Sequence, residues 1–183
     1  MMKEIIKAAE WVAKSRFAIA LTGAGISVES GIPDFRSENG LWSRYEPMEY
    51  GHISSFRADP GKVWKMLMEM DALLEAASPN PAHVALARLE ERSLLKVVIT
   101  QNVDSLHQKA GSRGVIEFHG HGRTLRCDRC GERVPRDAVR LSGEPPLCDC
   151  GSAMRPEFVF FGEQIPEEAY AGAVEAARRC DLM

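Results

Sequence analysis

Residues 17–36 read FAIALTGAGISVESGIPDFR, and this stretch decides the fold. Phe17 to Thr22 is a short apolar run without polar alternation, the pattern of a strand buried on both faces of a parallel sheet. It runs directly into Gly23-Ala24-Gly25. Upstream, residues 3–14 (KEIIKAAEWVAK) place Ile5, Ala9 and Val12 at helical spacing. Helix, buried strand and glycine turn together read as the opening of a nucleotide-binding α/β unit. The backbone N–H groups of Gly23, Ala24, Gly25, Ile26 and Ser27 can face a phosphate there; a plain tight turn is the other reading. The dinucleotide fingerprint G-x-G-x-x-G is not met, because Val28 stands where its last glycine belongs.

Working outward, the pattern repeats. Residues 94–100 (LLKVVIT) predict a second buried strand, ending at Gln101-Asn102-Val103-Asp104, where open α/β sheets bind ligands. Residues 114–119 (GVIEFH) predict a third. Ser30 to His52 shows no regular period and reads as a long loop, the kind that often carries function. Asp59-Pro60-Gly61 opens a helix to about Ala77, with Asp as N-cap and Pro in the first turn. Further helices are expected over 82–93, 104–110 and 167–179, and a strand over 157–161. Asp181-Leu182-Met183 reads as the first residues of another buried strand.

The chain has 183 residues, 45% hydrophobic and 27% charged, enough for a core and unlike a disordered protein. Lys plus Arg is 23 against 26 Asp plus Glu, a net charge of -3. That balance disfavours a generic nucleic-acid binder. No apolar run approaches the ~20 residues that span a bilayer. Lys3, Glu4 and Lys7 interrupt the N-terminus, unlike a secretory signal. The expected compartment is the cytoplasm, where five cysteines serve metal or redox chemistry rather than disulfides. Cys127-x2-Cys130 and Cys148-x-Cys150, separated by seventeen residues, can enclose a zinc ion with four thiolates. A closed four-thiolate site is structural, so this zinc is expected to hold the segment from Gly120 to Arg155 together. Cys180 reads as a packing residue.

Longer motifs then fall into order. Gly23 to Arg36 with Gly40-Leu41-Trp42, Thr100 to His107, Phe118-His119-Gly120, the four-cysteine segment, and Arg155-Pro156 with Val159 to Glu163 resemble the sirtuin family of NAD-dependent protein deacylases over essentially the whole chain. Phe160 stands where that family commonly has Trp. The resemblance implies an α/β, Rossmann-like parallel sheet, incomplete at the C-terminus, with a small four-cysteine zinc-binding domain. It divides the chain into 1–36, 81–120 and 156–183 of the Rossmann-like domain, a cofactor loop and helical insertion over 37–80, and the zinc domain over 121–155.

The resemblance also implies roles. NAD+ is a co-substrate; the acyl oxygen attacks the nicotinamide ribose, nicotinamide leaves, and the acyl group passes to the ribose. His119 is the implied general base, with Asn102 and Asp104 as its catalytic companions. Gly23, Ala24, Gly25, Ile26, Ser27, Asp34, Phe35, Arg36, Trp42, Gln101, Asn102, Val103 and Asp104 are the implied cofactor contacts. Val159, Phe160, Phe161 and Gly162 are implied to pair with an acyl-lysine strand, and Cys127, Cys130, Cys148 and Cys150 to hold zinc. Acetyl-lysine proteins or peptides are the expected partners, with no membrane and no sequence-specific nucleic acid. Family members acting on acidic acyl groups carry Tyr-x-x-Arg where Leu67 and Met70 stand here, so neutral acyl groups are expected. The family continues past residue 183 into a Gly-Thr-Ser motif and further strands. Their absence predicts a marginally stable chain that binds NAD weakly. Besides an inactive fragment of that family, two other classes remain: a non-catalytic zinc module using the arginines between Arg123 and Arg140 as a basic face, and a Rossmann hydride-transfer enzyme. Val28 and the lack of an acidic ribose residue count against the last.

Overall fold

The computed structural model describes residues 2–34, 38 and 40–183. The first apolar run forms β1 (Ile19–Thr22), which pairs in parallel with β2 (Val97–Thr100). β2 pairs in parallel with β3 (Val115–Glu117), giving the order β1-β2-β3. Side chains alternate between the two sheet faces. Ile19 and Ile99 meet Ala173 and Ala176 of helix α7 (Glu167–Arg179). Ala18 and Val98 meet Leu86 and Leu89 of helix α5 (Pro81–Glu91) on the opposite face. A helix on each face leaves no polar alternation in the strands.

Local chemistry starts the helices where the sequence places them. Asp59 accepts the Lys62 N–H at 2.9 Å and Pro60 begins α4 (Pro60–Ala76). Asn80 accepts the Ala82 N–H at 2.9 Å ahead of Pro81. Helix α1 (Met2–Lys14) forms as expected but buries no residue, and Ile5, Ile6 and Trp11 are exposed. At the other terminus, Leu182 forms an isolated parallel bridge with Ala18. The Asp181 carboxylate accepts from the Ser15 hydroxyl and from the Arg16 and Phe17 N–H groups. These bonds, Ser15 first, hold its pKa down to about 2.

Two expectations are corrected. The segment 30–52 is not an unbroken loop: it holds a 3-10 turn at Leu41–Ser43 and the helix α2 (Pro47–Tyr50), capped by the Glu46 carboxylate. These turns are too short to display a period. The strand expected over 157–161 lies earlier, at β6 (Met154–Phe158), and its partner is β4 (Gly120–Cys127). Beyond Phe158, Phe161 makes only an isolated bridge with His52. With β5 (Arg133–Pro135) these strands form a second, antiparallel sheet in the order β5-β4-β6.

The second sheet shares one core with the helices before it. Leu125, Cys127, Cys148, Met154 and Phe160 cluster with Phe56 of α3 (Ile53–Ala58) and with Val63, Trp64, Met66 and Leu67 of α4. The fully buried Trp64 donates its indole N–H to the Met154 carbonyl at 2.8 Å. Among the described residues, no helix is long and apolar enough to cross a membrane.

Candidate active site

Parallel register brings the three sheet exits together. Thr22, Thr100 and Glu117 lie side by side at the C-terminal ends of β1, β2 and β3. Gly23, Gln101 and Phe118 therefore leave one edge as neighbours. The Gln101 N–H donates to the Thr22 carbonyl at 3.0 Å, and the Phe118 N–H to the Thr100 carbonyl at 2.8 Å.

His119 follows and is half-buried. Its Nδ1 lies 3.0 Å from the Gln101 carbonyl oxygen. A carbonyl can only accept, so Nδ1 carries the proton and Nε2 of the neutral ring is an acceptor. The His119 carbonyl in turn accepts the Val159 N–H at 2.8 Å.

Beside it lies a buried polar network. The Asn102 amide donates to the Gly23 carbonyl and to the Ser27 hydroxyl, both at 3.1 Å. Ser27 donates to Asp104 Oδ2 at 2.6 Å, and Asp104 Oδ1 accepts the Leu106 N–H at 2.9 Å. Asp104 thus caps the start of α6 (Leu106–Lys109) while its second oxygen faces the glycine turn. Ser27 sits in a 3-10 helix, Ala24–Ser30, and is 1% exposed.

The other expected site residues divide. Gly25 and Gln101 are exposed, and Ala24, Ile26, Asp34 and Val103 are half-buried. The Asp34 carbonyl accepts the Leu41 N–H at 2.9 Å. Phe35 and Arg36 lie outside the described residues. Trp42 meets Phe161, ring centroids 5.9 Å apart, and so stands on the side of residues 159–162. Along that segment Phe160 turns inward onto Phe56, whereas Phe161 is exposed and Gly162 follows at φ +84°. Leu67 is fully buried in the shared core with Met70 packed at its margin.

Two histidines outside the expected site residues pack beside the network. His83 and His107 are both fully buried with ring centroids 4.9 Å apart. His107 Nε2 is 2.9 Å from the Thr22 hydroxyl. Burial, then the neighbouring His83, pulls the His107 pKa down to about 4, against a weaker pull upward from Asp104. Burial lowers His83 in the same direction. Asn80 is a further omission: its amide donates to the Ile26 carbonyl at 2.7 Å and the Ser30 hydroxyl at 3.0 Å, bracing the glycine turn. Its place before Pro81, as an N-cap, was the available signal.

The four cysteines meet at the far end of β4. The Sγ atoms of Cys127, Cys130, Cys148 and Cys150 all lie within 4.8 Å of one another, close enough to hold a metal ion. The Cys130 and Arg129 N–H groups stabilise the Cys127 thiolate, and its pKa falls to about 6. Cys180 is half-buried against the α7 cluster and donates to the Ala177 carbonyl at 3.2 Å. The arginines of this segment are largely paired. Arg123 meets Glu117, Arg126 meets Asp128 and Glu163, Arg133 meets Glu157, and Arg136 meets Asp71. A basic face there is mostly neutralised.

The family model described as the Sir2 family matches residues 23–183. An NAD-dependent protein deacylase of Aeropyrum pernix is 46% identical over 183 residues, covering 100% of this chain and 74% of that protein. An NAD-dependent protein deacetylase of Thermodesulfovibrio yellowstonii is 46% identical over 186 residues, covering 99% and 73%. A solved complex of a Sir2 homolog with NAD superposes with a TM-score of 0.88 at 44% identity, covering 96% of this chain and 69% of that one.

Proposed function

The chain belongs to the Sir2 family, and from that membership we propose how its own residues divide the work of NAD-dependent protein-lysine deacylation. NAD+ supplies the ribose that accepts the acyl group and the nicotinamide that leaves. His119 Nε2, freed by the Nδ1 bond to the Gln101 carbonyl, takes the proton of a ribose hydroxyl. Asn102 and Asp104, locked through Ser27, orient the ribose and the nicotinamide amide. Gly23 to Ser27 face the pyrophosphate, with Ala24 and Gly25 leaving room for it; Asp34 and Val103 complete the contacts. Phe35 shields the reacting face, and Arg36 organises the loop or the phosphates. The backbone of Val159 to Gly162 pairs with the acyl-lysine peptide, with Phe161 and Trp42 beside it. Leu67 and Met70 give no cation to an acidic acyl group, which supports neutral acyl groups with acetyl as the default.

The four thiols suit zinc. A tetrahedral site with Zn–S near 2.3 Å needs sulfurs about 3.8 Å apart, and the present pairs at 3.5 and 3.4 Å can open to that spacing. Four thiolates leave no open position, so the metal stabilises the second sheet and takes no part in the reaction. Reduced thiols in this number suit the cytoplasm.

The convergence of three sheet exits on His119 and the Ser27–Asn102–Asp104 network carries this reading. The test is nicotinamide release from NAD+ with an acetyl-lysine peptide, comparing the parent with His119→Ala. Release by the parent, reduced at least ~100-fold in the variant, is expected. No release from a folded, zinc-loaded parent overturns the reading.

A further inference from the structure

Arg155 is fully buried, yet its guanidinium keeps its charge. A charge so placed needs every available acceptor. Its Nε donates to Asp128 Oδ1 and Oδ2 at 3.1 and 3.0 Å. Its Nη1 donates to the carbonyls of Pro156 at 3.3 Å and Phe158 at 3.0 Å, and its Nη2 to Glu163. The Phe160 ring lies 5.0 Å from the guanidinium carbon.

These acceptors belong to two places. Phe158 and Glu163 flank residues 159–162, and Glu163 Oε2 also accepts the Phe160 N–H within that segment at 2.9 Å. Asp128 lies between Cys127 and Cys130, inside the first cysteine knuckle. Arg126 braces the same pair of carboxylates, 3.3 Å from Asp128 and 3.3 Å from Glu163.

We propose that Arg155 is a positioning residue that transmits the shape of the metal-closed Cys127–Cys130 knuckle to Phe158–Glu163, and so sets the strand on which the acyl-lysine peptide pairs. The proposal rests on the reading of residues 159–162 as the peptide-binding segment. Closing the knuckle fixes Asp128, and Asp128 fixes the guanidinium. Once Asp128 is lost, a buried cation is left short of a carboxylate, which is strongly unfavourable. Residues 158–163 then rearrange to bring it water. The Ser27–Asn102–Asp104 network sits at the edge of the other sheet, so NAD binding is spared.

The test compares Asp128→Asn and Arg155→Lys with the parent, all zinc-loaded, with Asp149→Asn as a control in the second knuckle. Metal content is measured first. Amide hydrogen exchange over 158–163 and over β2 is then followed, and Kd values are measured separately for an acetyl-lysine peptide and for NAD+. Asp128→Asn is expected to keep its zinc, to speed exchange over 158–163 at least ~10-fold, and to raise the peptide Kd about 10-fold with NAD Kd within about 2-fold. Arg155→Lys keeps the charge but cannot span the acceptors, and should show the same split; it decides the matter if Asp128→Asn loses zinc. Asp149→Asn should match the parent. Parent-like exchange and peptide affinity in the zinc-loaded variants overturn the proposal, and so does an equal loss of both ligands. If 158–163 loosens while the parent binds NAD but no peptide, the functional reading of that segment fails and the proposal with it. A folded parent that binds neither ligand overturns the functional reading as a whole.

Discussion

His107 shows how much of the site is decided beneath the residues that would touch substrate. It is neutral because it is buried, and it braces Thr22 at the end of β1 while packing on His83. Unfolded, it takes up a proton near the ordinary value of 6.5; folded, only at about 4. The unfolded chain therefore binds more protons between those values. Stability from this group is complete above pH 6.5 and is lost as pH falls toward 4, by up to roughly 3 kcal/mol. His83, lowered in the same direction, adds to the loss, and Asp104 opposes it. Urea unfolding at pH 7, 6, 5 and 4 checks this, and His107→Gln should flatten the profile. A second residue-scale prediction concerns Gly120, held at φ +73° where a Cβ would run into the Glu157 carbonyl oxygen. Gly120→Ala should cost about 2–4 kcal/mol in unfolding free energy.

At the scale of elements, legibility followed the origin of each element's stability. β2, α4 and α7 could be read because runs of apolar residues or a sustained helical period face the core, with Asp59 capping the start of α4. The second sheet could not. β4 carries only Leu125 and Cys127 as buried side chains, and β6 contains Arg155 and Pro156, a composition that resembles a loop. Pro156 is tolerated because β6 is an edge strand. Partners distant in sequence, together with the cysteine cluster, make these strands. The site shows the same split: the motif residues at the sheet exits stand out in the sequence, whereas His83 and Arg155 act through partners distant in the chain, and Asn80 is marked only by its place before Pro81. Removing the proposed zinc should therefore act on whole elements. Chelation is expected to lower unfolding free energy by on the order of 5 kcal/mol or more. Trp64 of α4 should be perturbed along with β4 to β6, because they share a core. Far-UV dichroism melts with and without chelator, and the fluorescence change in Trp64→Phe against the parent, measure both.

For the molecule as a whole, helix α1 leaves a set of large apolar side chains uncovered. Met2, Ile5, Ile6 and Trp11 of α1 are exposed, as are Leu21 of β1 and Met183. The chain spans 74% and 73% of the two relatives compared above. Exposed apolar side chains grouped on one helix drive association. Light scattering across a concentration series should show self-association of the 183-residue chain, reduced by Ile5→Glu with Ile6→Glu. Equal, monomeric scattering from both would contradict it.

The core shared by α3, α4 and the second sheet also bears on how such chains can be recombined. Leu125, Cys127, Cys148 and Met154 pack against Val63, Trp64, Met66 and Leu67 rather than among themselves alone. A cassette cut at 120–155 and moved into a relative would meet a foreign helix surface, and Arg136 would lose Asp71. The heritable unit is discontinuous: residues 41–77 and 120–163 have to travel together.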